Sequence, residues 1–177
     1  AARMVAMKSA SDNAGTLMLL SADRAEPERV AQVGEQVVAD EVAATVAYVD
    51  AQSNVRWVEL GDQEAKPPAL GKATGRALAI SPDGTAVAYG AAAGGFAVLR
   101  PDSGTVASDR PPDVSGLTWS PDGKRLAIGA MGDADREEED GGLWLWDGGE
   151  TARQLVKPSA GWGCSRDIRW SPDGQWI

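Results

Sequence analysis

Three copies of one tetrapeptide constrain this chain more than any other feature. Ser-Pro-Asp-Gly occurs at Ser81, Pro82, Asp83 and Gly84, at Ser120, Pro121, Asp122 and Gly123, and at Ser171, Pro172, Asp173 and Gly174. Each copy follows a stretch in which apolar residues alternate: Leu78 with Ile80, Leu117 with Trp119, Ile168 with Trp170. Alternation of period two sets such side chains on one face of a β-strand. Beyond the first two copies an apolar triplet returns, Val87-Ala88-Tyr89 and Leu126-Ala127-Ile128, as the partner strand. The tetrapeptide between them reads as a hairpin loop. Proline presets φ for the first turn position, aspartate bonds its own backbone, and glycine takes the left-handed conformation that closes the turn.

The same triplet stands upstream as Val46-Ala47-Tyr48 and Val5-Ala6-Met7, there without an intact turn motif. The four triplets begin at residues 5, 46, 87 and 126, spaced by 41, 41 and 39 residues. A period near 40 belongs to a unit of four short strands, the size of a propeller blade. Third strands fall in register at Leu17-Met18-Leu19, Arg56-Trp57-Val58, Ala97-Val98-Leu99 and Trp144-Leu145-Trp146, and outer strands at residues 105–107 and 153–156. The expected fold is all-β: a β-propeller of four-stranded antiparallel blades, with about four blades' worth of sequence. The repeats are placed at residues 1–34 (partial), 35–73, 74–112, 113–160 and 161–177 (partial), in one propeller segment over 1–177. The two partial repeats are complementary, since residues 1–34 lack a first strand and residues 166–171 supply only that one. The chain is read as part of a larger propeller, associated with the rest of that propeller, with another copy of itself or with a partner chain, and a closed four-bladed ring is the alternative.

Composition narrows the function by exclusion. The chain has no histidine among its 177 residues, so it offers no Ser-His-Asp or Cys-His nucleophile system and no imidazole-ligated metal. The nucleophile-elbow pattern G-x-S-x-G is also missing, which leaves carboxylate chemistry as the catalytic remainder. A net charge of −9 argues against nucleic acid as a partner. A single cysteine, Cys164, allows no internal disulfide, and no apolar run approaches the roughly 18 residues that span a bilayer. No cofactor and no metal are expected.

Two features are candidates for meeting a partner. The fourth repeat carries an insertion with Asp133, Asp135, Glu137, Glu138, Glu139 and Asp140, a charge run that belongs in a solvated loop. Its spacing lacks the glycine and the final glutamate of an EF-hand, so a solvated loop is preferred to a calcium site or a contact for a basic partner. Trp162, in a glycine-rich loop, is the candidate for an exposed aromatic contact. Trp119 and Trp170 occupy the place of Ile80 and read as core, and Trp144 and Trp146 share one face of their strand.

The run Leu117-Thr118-Trp119-Ser120-Pro121-Asp122-Gly123-Lys124-Arg125-Leu126-Ala127-Ile128 closely resembles the repeats of TolB-like β-propellers. Similar repeats build the propellers of prolyl oligopeptidase-like and tricorn-type peptidases and, more distantly, WD-repeat proteins. The likeness rests on motif in three repeats and on register elsewhere. It implies a non-catalytic scaffold or protein–protein interaction module that binds protein partners in the cell envelope, so an extracytoplasmic location is preferred to a cytoplasmic one. The alternative it implies is the gating propeller of a prolyl oligopeptidase-like serine peptidase whose catalytic domain lies outside these residues. Function is grafted on such scaffolds rather than dictated by them.

Overall fold

A computed structural model describes residues 5–11, 14–20, 28–40, 45–59, 69–100, 103–132, 140–157 and 167–177. Thirteen strands follow one another in it, with no helix among the described residues. They are β1 (Val5–Ser11), β2 (Ala14–Leu20), β3 (Glu28–Asp40), β4 (Thr45–Asp50), β5 (Asn54–Glu59), β6 (Gly71–Ile80), β7 (Val87–Ala91), β8 (Phe96–Arg100), β9 (Gly104–Ser108), β10 (Val114–Trp119), β11 (Leu126–Ala130), β12 (Gly142–Trp146) and β13 (Arg153–Val156). Each pairs antiparallel with its chain neighbour, except that β9 and β10 are not paired.

Blades emerge from the ladders once the two long strands are divided. Residues up to Val33 of β3 pair with β2; Val33 also pairs with Asp50 of β4, and after a register shift the residues from Val37 on pair with β4 alone. β6 repeats the device: Gly71 and Lys72 pair with β5, whereas Leu78, Ala79 and Ile80 pair with β7, again across a register shift. Each long strand is thus the outermost of one blade and the innermost of the next. At the following crossing stand Pro111 and Pro112. Proline has no N–H to give a ladder, and here the outer strand β9 ends before the inner strand β10 begins. β6 lies against β3 on one side and β10 on the other, so the innermost strands of successive blades are neighbours, as around a propeller axis.

Burial on both faces explains why the middle strands are apolar throughout. In β7 and β8, Val87, Tyr89 and Ala97 join a cluster with Ala47, Val49 and Val55 of the preceding blade. The alternate residues Ala88, Phe96 and Val98 face the following blade, against Leu126, Ile128, Trp144 and Trp146. The second interface is built from unequal partners. Ala77, Ala79, Ala86 and Ala88 lie on one side, and Trp119, Trp144 and Trp146 fill the space from the other. Trp146 is fully buried and meets Phe96 and Trp119 edge to face, with ring centres 6.1 Å apart in both pairs, a favoured aromatic geometry.

One strand expected from the alternation is not formed. Ile168 and Trp170 sit in a segment, residues 167–171, with no ladder pairing. A strand is held by its neighbour, and no described residue pairs with this segment; β1 likewise pairs with β2 alone.

Candidate functional site

The three Ser-Pro-Asp-Gly loops fold into one repeated hydrogen-bonded unit. In the first, the Ser81 hydroxyl donates to Asp83 Oδ1 at 2.5 Å and accepts from the Ala86 N–H at 2.9 Å. Asp83 Oδ1 also accepts from the Thr85 N–H, while the Gly84 N–H donates to the Ser81 carbonyl. Ser120, Asp122 and Gly123 repeat the pattern with Lys124 and Arg125; Ser171, Asp173 and Gly174 repeat it with Gln175 and Trp176. Positive φ at Gly84, Gly123 and Gly174, 69°, 68° and 68°, closes each loop. The serine hydroxyl, and then the backbone N–H two residues on, hold the carboxyls of Asp122 and Asp173 below the usual carboxylate range. For Asp83 the Ser81 hydroxyl leads, partial burial opposes it, and the Thr85 N–H adds to it, with the same net direction. A carboxylate held this way accepts hydrogen bonds and attracts cations. It does not exchange a proton near neutral pH.

Replacing Gly123 by valine places a β-branched residue at φ 68°, and a loss of about 1–3 kcal/mol in a urea melt is expected. An unshifted midpoint would show that this backbone conformation is not required.

Neighbouring loops abut. A Cβ built on Gly123 would stand 3.7 Å from Cδ of Pro82, and one on Gly174 would stand 3.4 Å from Cδ of Pro121. Beneath them each tryptophan reaches back one repeat. The Trp119 indole N–H donates to the Ala79 carbonyl at 3.3 Å, and that of Trp170 to the Thr118 carbonyl at 3.0 Å. Arg125 completes the second junction, donating to the Gly174 carbonyl at 2.7 Å with its guanidinium 4.8 Å from the Trp170 ring centre. The result is a row of three abutting turns on one rim, each carboxylate held within its own turn, with Lys124 and Arg125 beside Asp122. Sequence reasoning missed the Arg125 contacts, because 45 residues separate Arg125 from Trp170 and no local pattern joins them.

Since the strands alternate in direction, the β4–β5 and β7–β8 hairpins and the β11–β12 connection lie at the opposite end from the turns. There Asp50, in the β4–β5 hairpin, gathers the Gln52 and Asn54 backbone N–H groups, the Asn54 amide and Arg56 Nε at 2.7 to 3.0 Å. Burial pushes its carboxyl up, but those hydrogen bonds, the Asn54 side chain foremost, outweigh burial and bring it down to about 2. Asp140 is at this end too, paired with Arg110 Nη1 at 3.5 Å, an exposed ion pair of small energetic weight. Asp133, Asp135, Glu137, Glu138, Glu139 and Trp162 lie outside the described residues. Among the described residues no three His, Cys, Asp or Glu side chains group to hold a metal ion.

No family model matches the chain, and no curated protein does. Among solved structures it is similar to the tricorn protease, with a TM-score of 0.60 and 13% identity over 81% of this chain. The fold is a partial β-propeller. The chain spans only 16% of the length of that protease chain, and a likeness at this identity extends to the propeller architecture alone.

Proposed function

We propose that this chain is a non-catalytic protein–protein interaction module on a TolB-like propeller, working outside the cytoplasm. The observation that carries this reading is the row of turns. Three loops of one sequence satisfy their own polar groups, abut one another and present carboxylates along a single rim, and a rim held stiff before binding loses little entropy on meeting a partner. The partner is a protein with a basic or hydrogen-bond-donating surface, and nucleic acid is disfavoured by the charge of −9. No helix among the described residues is long and apolar enough to cross a membrane.

The test uses the full-length protein in its own cell, with a photo-crosslinking residue at position 85 or 124 beside the rim carboxylates, or at position 105 or 155 on outer strands. Adducts formed at the rim positions and not at the outer strands are expected. Equal labelling at all four, or labelling of the outer strands alone, would overturn the assignment of the rim.

A second reading is favoured by the likeness to the tricorn protease: the chain is the gating propeller of a serine peptidase. Its test is independent of crosslinking. Covalent labelling of the full-length protein by a fluorophosphonate, together with peptide hydrolysis, would decide for the peptidase, and the absence of both would decide for the interaction module.

A further inference from the structure

Asp-Gly bonds are chemically labile, and this chain holds five: Asp83–Gly84, Asp122–Gly123, Asp140–Gly141, Asp147–Gly148 and Asp173–Gly174. In the reaction the glycine nitrogen attacks the aspartate Cγ, a C–N bond forms and water leaves, giving a five-membered succinimide. Water then opens either carbonyl and returns aspartate or isoaspartate, the latter with the main chain rerouted through the side chain. No oxidant or co-reactant is needed. The attack requires a glycine N–H that is not engaged elsewhere, a carboxyl free to turn toward it, and local freedom to move.

The structure withholds these conditions at the three turn bonds. In each Ser-Pro-Asp-Gly turn the glycine N–H is committed to the serine carbonyl at 2.8 to 2.9 Å, and the carboxylate is pinned by the serine hydroxyl and a backbone N–H. At Asp140–Gly141 the glycine is buried and Asp140 makes only its exposed pair with Arg110. Asp147 and Gly148 differ on every count. Both are exposed, at the start of the β12–β13 connection. A Cβ on Gly148 would meet nothing within 4 Å, and Asp147 Oδ1 lies 3.8 Å from the Cβ position of Gly149, so the carboxyl is folded forward along the following backbone.

We propose that Asp147 is a modification site, at which the Asp147–Gly148 bond converts through a succinimide to isoaspartate in the folded protein while the three turn bonds are protected. The enzyme class that would act on the product is a carboxyl methyltransferase for isoaspartyl residues. The change also reaches the core: the buried Trp146 donates its indole N–H to the Gly149 carbonyl at 2.6 Å, and isoaspartate inserts one methylene between those two residues.

The experiment ages the full chain at neutral pH and maps its peptides by chromatography and electron-transfer fragmentation, with a sample aged in denaturant alongside. A site that reacts only after local opening is slowed by its opening equilibrium, so isoaspartate at position 147 is expected to exceed that at positions 83, 122 and 173 by at least about tenfold in the folded chain, with the difference lost in denaturant. Asp147→Glu, which cannot form the five-membered ring, should abolish the dominant product while leaving the fold intact by circular dichroism. Isoaspartate spread evenly over the five bonds, concentrated at a turn aspartate, or formed only in denaturant would each overturn the proposal.

Discussion

Gly95→Ala should destabilise this protein by about 3 kcal/mol or more. Gly95 sits at φ 74° in the β7–β8 hairpin, which alone penalises a side chain. A Cβ there would also collide with the Ser108 carbonyl oxygen and stand 2.7 Å from Cα of Asp109. Both atoms are backbone, so no rotamer change relieves the contact. The hairpin is further tied on both sides, with the Ala91 N–H donating to the Gly95 carbonyl and the Gly95 N–H to the Pro112 carbonyl, each at 3.0 Å. A melting temperature lowered by roughly 6–12 °C is expected for a chain of this size. Gly104→Ala is the control: φ there is also positive, but a Cβ would meet nothing within 4 Å. Equal losses for the two substitutions would show that backbone strain, and not the approach of the hairpin to residue 108, sets the cost.

Asp50→Asn is expected to cost about 2–3 kcal/mol near neutral pH and far less in strong acid. The carboxyl titrates near 2 in the folded chain, against an ordinary value of 3.8. Because the folded value is the lower one, the stabilisation, about 2.5 kcal/mol, is complete above about pH 4 and is lost as pH falls through about 2. The side chain is only 8% exposed, so solvent screening removes little of this. Asp83, Asp122 and Asp173 act in the same direction, and wild-type stability therefore falls on acidification through several groups. The difference between wild type and Asp50→Asn isolates one of them. A penalty equal at pH 6 and pH 2.5, measured by urea denaturation, would show that Asp50 acts through shape and not through its charge.

Local features were legible in the chain itself. Alternation at Leu117 and Trp119, the triplets at residues 87 and 126, and the proline and glycine of each turn act within a few residues of themselves, so periodicity and turn chemistry place the hairpins. The same reasoning failed at Ile168 and Trp170, where the alternation is present and the ladder is not. A pattern specifies which face is apolar; only a neighbouring strand makes the hydrogen bonds.

The candidate rim was half legible for the same reason. Ser-Pro-Asp-Gly is visible three times by inspection, and from it the sequence determined the turns, the repeat and the all-β class. Tertiary structure decided everything that passes between repeats. Trp119 and Trp170 donate across 40 and 52 residues to backbone carbonyls, and the alanines of β6 and β7 leave the space that Trp144 and Trp146 occupy. Strand and turn preferences are set by the covalent geometry of adjacent residues, whereas these contacts depend on how one twisted sheet stacks on the next, which no spacing along the chain encodes.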